Sequence, residues 1–328
     1  MTQRERIAAY GAWAAVCFFW GTTYLAIRIG LESMPPMLFA GLRFLTAGSL
    51  LFAFMYIWRK ARLPRGREWV DLSLVGLMLL GVGTGVVVWA EQWVPSGMAA
   101  LLVAMAPFWM AGLERTRPNG ERVGAGAALG MLIGFAGLAL LVAPDIFSTS
   151  LSRPYLLCVL LLQFGSISWS GGSVYAKHHS TGVALLMAAA IQMLAAGIAL
   201  TLIGTLAGEW SEAGFTARSF AAFAYLVLFG SIVAYGSYTY AIQKLPLSIV
   251  STYSYINPVI AVLLGWALLG EPLTWRVAAA ATLILGGVAL VKSAPGNIAG
   301  RFRSARRGGE KKSEIFRSVP PACSAGAK

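Results

Sequence analysis

The sequence predicts an all-α integral membrane protein: ten transmembrane helices arranged as two inverted five-helix repeats. Three observations predict it. Hydrophobic residues make up 58% of the 328 positions and charged ones 12%, with a mean hydropathy of +0.70, whereas soluble domains carry about 25% charged residues. The apolar residues form long continuous runs of the roughly 20 residues needed to cross a hydrocarbon core about 30 Å thick. Continuous rather than alternating runs exclude a β-barrel. Landmarks also recur at a nearly constant spacing. Trp20 and Trp169, Arg28 and Lys177, Arg43 and Gln192, and Gly48 and Gly197 each stand 149 residues apart. Pro95 and Pro107 return as Pro246 and Pro258 at 151, and Ala-Gly-Leu-Ala-Leu at 136–140 returns as Gly-Gly-Val-Ala-Leu at 286–290.

Taken in order, the first run, 8–28, follows Arg4 and Arg6 without an Ala-x-Ala cleavage site, so it reads as a retained helix and not as a signal peptide. After Met-Pro-Pro comes 36–57, with Arg43 inside its apolar run. The third, 69–92, closes on Glu91 and Gln92, and Val94-Pro95 leaves only a hairpin turn before 96–113. The run 123–142 completes a first repeat over residues 1–144. The second repeat, 145–293, holds 155–176, 183–205, 219–242, 247–269 and 276–292, with Leu245-Pro246 as its own tight turn. Five spans is an odd number, so the second copy is expected to lie inverted in the bilayer.

Orientation follows from the basic residues. With the N-terminus inside, cytoplasmic segments hold 21 Lys and Arg against Arg28, Arg153, Arg218 and Arg276 outside, and leaving out the tail the ratio is twelve to four. Both termini are expected in the cytoplasm. The tail 294–328 is Gly-, Ser- and Lys/Arg-rich, and is expected to be disordered. It would hold the orientation of the last helix and attract anionic lipid, or serve a regulatory partner. The net charge of +13 is explained by these loops and the tail, so no nucleic-acid partner is expected. Cys17, Cys158 and Cys323 read as small hydrophobes, not as a disulfide or metal site. His178-His179 is a weak metal signal, and the sequence contains no phosphate-binding loop, dinucleotide fingerprint or His-Glu-x-x-His. No metal or cofactor is expected.

Several stretches resemble the EamA-like transporters of the drug/metabolite transporter superfamily. They are Phe-Trp-Gly followed by Ile-Arg in the first span, Leu-Arg-Phe-Leu-Thr-Ala-Gly in the second, Trp-Ala-Glu-Gln-Trp-Val-Pro-Ser-Gly joining the third and fourth, and Asn-Pro-Val-Ile-Ala-Val-Leu-Leu-Gly-Trp-Ala-Leu-Leu-Gly-Glu-Pro in the ninth. The resemblance covers about residues 8–293. It implies a ten-helix bundle and a bacterial inner-membrane exporter of amino acids or related small metabolites, without fixing the substrate. One departure lies in the fourth span. There the chain reaches Glu114-Arg115 early and continues through Arg117-Pro118-Asn119-Gly120, where the ninth span ends on Glu271-Pro272.

Ionisable side chains inside a bilayer cost about 3 kcal/mol or more, so each is a functional candidate. Arg43 could hold a substrate carboxylate and Glu91, with Gln92 beside it, an amine or a proton; alternatively Arg43 and Glu91 simply pair. Gln192 is the neutral counterpart of Arg43 in the second repeat. Trp20, with Tyr24 one turn on, and Trp169 lie too deep for an interfacial belt, so they line a cavity or pack helices together. Tyr235 and Tyr238, with Tyr255 and Asn257 in the ninth span, supply aromatic walls and polar anchors of the kind small-molecule sites use. Ser251, Ser254 and Tyr255 fall on one helical face, which should meet protein or water. Pro107 and Pro258 would kink their helices as hinges or for packing. Gly81 and Gly85, and Gly126, Gly130 and Gly134, are small-xxx-small rows for close helix contact. The expected activity is secondary transport by alternating access. Its rivals are a lipid flippase and, with no clustered carboxylates or histidines in view, a membrane-embedded enzyme.

Overall fold

A computed structural model describes residues 2–116, 125–147, 153–179, 181–245 and 247–293. The basic tail and Arg117-Pro118-Asn119-Gly120 lie outside the described residues. Within them every regular element is helical. In chain order these are α1 (Gln3–Gly30), α2 (Pro36–Trp58), α3 (Arg67–Ala90), α4 (Ser96–Val103), α5 (Ala106–Arg115), α6 (Ala125–Phe147), α7 (Arg153–His178), α8 (Leu185–Leu206), α9 (Ala217–Lys244), α10 (Leu247–Val250), α11 (Tyr253–Leu269) and α12 (Trp275–Ser293). Seven helical stretches are long and apolar enough to cross a membrane: α1, α2, α3, the α4–α5 stretch, α7, α8 and α9. Three shorter apolar helices lie within α6, α11 and α12.

Local chemistry sets the ends. Thr2 and Glu5 form a capping box at the start of α1, with Glu5 N–H donating to Thr2 Oγ1 at 3.2 Å. Pro36 opens α2, where a missing N–H costs nothing. The expected third span, 69–92, ends sooner: Glu91 is the C-cap of α3. The fourth run is broken at Ala104-Met105. Pro107 has no N–H to continue the ladder, and Phe108 N–H instead bonds Met105 O at 3.0 Å. The ninth run, expected unbroken over 247–269, is interrupted at Ser251-Thr252. There Thr252 and Ser254 donate their hydroxyls to the Ile249 and Ser251 carbonyls, both at 2.6 Å, competing with the helical ladder. Pro258 sits inside continuous α11, downstream of that break. Helix α5 ends eight residues after Pro107, whereas α11 runs eleven past Pro258 to a left-handed Gly270 cap.

Three helices carry π-helical stretches that hydropathy did not signal: Phe54–Trp58 at the end of α2, Leu77–Thr84 in α3 and Leu226–Val233 in α9. The last two are eight residues each and 149 apart. Such stretches widen the helix and re-aim the side chains around it.

The tightest crossings are α2 on α8 and α6 on α12. Glycine permits both. A Cβ at Gly48 would lie 3.0 Å from Leu194 N, and one at its equivalent Gly197 would lie 2.7 Å from Leu45 N. Gly287 similarly meets Gly134 on α6, whose row with Gly130 is thus a helix contact. Gly85 abuts Leu200 of α8, but Gly81 meets only Leu77 of its own helix, because the π stretch rotates it out of the row. Around these crossings α1 packs on α11 and α9, α7 on α5 and α3, and α2 and α8 on α9 and α3 respectively.

Candidate functional site

Seven helices converge on a central cavity of about 80 Å³, α4 reaching it through Val103. Helix α1 contributes Trp20, Thr23 and Tyr24; α2 contributes Arg43 and Phe44; α3, Thr84 and Val87. From the other half come Ser166 and Trp169 on α7, Gly230 and Tyr235 on α9, and Tyr253 and Asn257 on α11. A water occupies about 30 Å³ of liquid, so two or three waters fill this space. Small-molecule pockets run to several hundred Å³, more than this space offers.

Arg43 is the charged member of the wall. It is 3% exposed, its Nε donates to Ser231 Oγ at 2.8 Å, and its guanidinium lies 4.9 Å from the Phe44 ring centre. Its Nη1 is buried without a hydrogen-bond partner among the described residues. The expected partner does not reach it. Glu91 is fully buried at the end of α3, one turn beyond Val87, and both its carboxylate oxygens lack hydrogen-bond partners among the described residues. Its backbone carbonyl, by contrast, accepts from Arg28 Nη1. No hydrogen bond or close ion pair joins Arg43 to Glu91: the guanidinium is turned to Ser231, and the two groups interact only at longer range. Gln92 turns back to donate to Trp89 O at 2.9 Å and also stays out of the wall.

The floor of the cavity is aromatic. Trp20 and Trp169 meet edge to face at 5.2 Å between ring centres, and Tyr238 and Tyr253 close around Trp20 at 5.0 and 5.2 Å. Trp20 Nε1 donates to Gly230 O at 3.2 Å, a carbonyl within the α9 π stretch. Ring pairs of this kind add about 0.5–1.5 kcal/mol each beyond their burial. Beyond this plug lies a second cavity of about 40 Å³, bounded by Asp71, Tyr175, His179, Gln192, Tyr235 and Tyr238 among others. Tyr235 borders both cavities, and its hydroxyl donates to Gln192 Oε1 at 2.6 Å.

The sequence-derived residues thus divide. Trp20, Tyr24, Arg43, Trp169, Tyr235 and Asn257 share the central cavity; Gln192 and Tyr238, with Tyr235, border the second. Tyr255 is half-buried against the α4–α5 side and lies off both walls. The amide end of Asn257 faces the Cys17 and Tyr253 carbonyls, two acceptors, so the assignment that satisfies it puts the nitrogen there as donor, at 2.9 and 3.1 Å. Ser251 and Ser254 are buried against protein, away from the cavity.

Other polar residues escaped the sequence reading. Ser166, Ser170 and Ser173 form a helical stripe on α7. Ser166 reaches the cavity, Ser170 donates to Ala106 O at 3.0 Å beside the α4–α5 break, and Ser173 bonds the Tyr238 hydroxyl at 2.7 Å. Gln163 donates to Leu102 O at 3.0 Å at the same break. Glu271 accepts from the Ser96 and Gly97 N–H groups at 2.7 and 3.1 Å, capping α4 from across the bundle. The i, i+4, i+7 serine spacing was a visible signal; the reach of Glu271 was not.

A bundle of apolar helices around a central cavity with a few polar groups is the arrangement a small-molecule transporter uses. The family model for EamA-like transporters matches residues 8–143 and 156–293, and the chain belongs to that family. Its relatives include the uncharacterised inner membrane transporter YedA of Escherichia coli K12, 42% identical over 84% of this chain and 87% of YedA. The uncharacterised transporter YoaV of Bacillus subtilis is 24% identical over 84% of this chain and 93% of its own length. A solved crystal structure matches with a TM-score of 0.63 at 22% identity, over 86% of this chain and 95% of that one, which shows a shared fold alone. Transport is the general role these findings support.

Proposed function

We propose that the protein is a secondary transporter of the bacterial inner membrane, with ten spans in two inverted repeats, 1–144 and 145–293, and both termini cytoplasmic. It exports small metabolites, amino acids or their relatives, by opening the central cavity to one side at a time. The observation that carries this reading is the Trp20–Trp169 contact. Equivalent residues of the two copies meet at 5.2 Å, with the Arg43 cavity on one side and the Gln192 cavity on the other. Arg43 and Gln192 are themselves equivalent, so the two cavities are related ends of one path.

Other pairings support a twofold relation between the copies. Exchanging each helix for its counterpart turns the α1–α11 contact into α7–α5, α3–α7 into α9–α1, and α2–α9 into α8–α3. Arg28 donates to the last carbonyl region of α3, and its equivalent Lys177 donates to Ile242 O and Leu245 O at the end of α9. Rocking one repeat against the other would part Trp20 from Trp169 and widen the cavity.

The test is flux into proteoliposomes of the full chain, using a panel of labelled amino acids, their deaminated acids and amines, with and without a pH gradient. Saturable movement of a panel member supports transport. If none moves in either direction under any gradient, the proposal is lost.

A further inference from the structure

Resting on that reading, we infer that the central cavity selects a monocarboxylate with an apolar or aromatic body, and that an ammonium group on the substrate weakens binding. The site is built for one negative charge. Arg43 is 97% removed from solvent, yet its side-chain hydrogen bonds reduce to Nε on Ser231 Oγ at 2.8 Å, and Nη1 stands buried and unpartnered among the described residues. An arginine stays protonated even where burial is costly. A buried cation with an unpaired donor is a half-made charge-assisted hydrogen bond, and the missing half is an acceptor that carries charge. A dianion would leave an uncompensated negative charge in the same dry space, since Arg43 is the charged residue of the described wall.

The rest of the wall says what the anion is attached to. Trp20, Trp169, Tyr253 and Phe44 offer ring faces and edges, and no Asp or Glu lies on the described wall to receive an ammonium. Glu91 is buried beyond Val87, behind the wall, where it interacts at a distance with Arg43 and Tyr24 but offers the cavity no surface. The Gly230 carbonyl, a backbone acceptor on the wall, already takes the Trp20 indole N–H at 3.2 Å. A zwitterionic amino acid would satisfy Arg43 and then strip water from an ammonium with no carboxylate on the described wall to take its hydrogen bonds.

Three probes that share a phenethyl body separate the charges at pH 7: 3-phenylpropionate, phenylalanine and phenethylamine. Calorimetric titration of the purified full chain should give 3-phenylpropionate at least tenfold tighter than phenylalanine, with phenethylamine weakest. Arg43→Gln should cost at least tenfold in 3-phenylpropionate affinity, and Arg43→Lys, which keeps the charge without the fork, should fall between. The wild-type ranking needs no variant, so a misfolded Arg43→Gln protein does not blunt the test. Phenylalanine or phenethylamine binding as well as 3-phenylpropionate overturns the inference, as does failure of all three to bind or an unchanged affinity in a folded Arg43→Gln variant. Proteoliposome flux of the same probes keeps the two proposals apart. If phenethylamine or phenylalanine is carried best, transport stands and the carboxylate rule falls. If 3-phenylpropionate binds as expected and neither it nor any substrate of the wider panel crosses, the carboxylate rule stands and transport falls.

Discussion

At the scale of single residues, the polar side chains of this bundle fall into two groups: those whose hydrogen bonds are complete and those left open. Glu271 belongs to the first. It binds two backbone N–H groups at the start of α4, and losing a cap costs about 0.5–2 kcal/mol, more where the freed donors are buried. Glu271→Ala should therefore lower the melting temperature in detergent measurably, while Glu271→Gln, which keeps one acceptor oxygen, should recover part of the loss. Equal melting of all three proteins would remove the capping role. The Tyr235–Gln192 bond at 2.6 Å is also complete, but it sits where the two cavities adjoin. Tyr235→Phe leaves a buried Gln192 oxygen without its donor, a cost of about 1–3 kcal/mol that falls on the closed state. It should raise the leak between the two sides, read as faster equilibration of a preloaded substrate, with little change in melting. A tight, wild-type-like vesicle would count against Tyr235 as a latch. Arg43 and Glu91 are the charged members of the open group, which among the described residues also includes Trp13, Ser96, Trp169 and Thr201. Their depth was legible from the apolar runs around them, but their separation was not, since hydropathy places a residue along a helix axis and says nothing of which neighbour it faces.

At the scale of elements, the sequence was informative wherever a property repeats along the chain. Each apolar run became helix, the prolines fell beside or within the interrupted fourth and ninth runs, and the equivalence of Trp20 with Trp169 proved to be a contact. The misses are changes of helical phase. Ser251, Ser254 and Tyr255 were aligned on one face by assuming an unbroken 3.6-residue period, and the turn at Ser251-Thr252 breaks it. Gly81 was assigned to a contact row by the same assumption and was rotated away by the π stretch. The π stretches themselves leave no compositional mark. Yet they set the site, because Leu77–Thr84 delivers Gly83 and Thr84 to the cavity, and Leu226–Val233 delivers Gly230 together with the Ser231 that holds Arg43. A π-bulge is equivalent to an extra residue in an α-helix, so deleting one residue there should restore the α ladder without unfolding the helix. Deletion of Phe229 should thus leave the melting temperature nearly unchanged while flux falls at least tenfold, because Ser231 no longer addresses Arg43. Loss of both folding and flux would mean the stretch is needed for the bundle itself, and retained flux would mean its widened geometry is idle.

At the scale of the whole molecule, the proposed inversion of the two copies is the property from which alternating access would follow, and one pair of positions can test it directly. Leu63, in the connection between α2 and α3, and Glu212, between α8 and α9, stand 149 residues apart, the spacing that the proposed repeat makes equivalent. Both are solvent-exposed in the connections that flank their helices. If the copies lay parallel, the two would emerge on the same side; inverted, they must emerge on opposite sides. The charge asymmetry adds the direction. Arg59, Lys60, Arg62, Arg65 and Arg67 surround Leu63, while Glu209 and Glu212 with the single Arg218 mark the other connection, so Leu63 belongs inside. In a chain with Cys17, Cys158 and Cys323 replaced by alanine, a maleimide that cannot cross the membrane should label Glu212→Cys on intact spheroplasts. It should label Leu63→Cys only after permeabilisation. Labelling of both from one side would end the inverted-repeat reading and with it the two-gate mechanism. The reverse pattern would keep the inversion and overturn only the orientation, placing the Arg43 cavity toward the cytoplasm and the Gln192 cavity toward the outside.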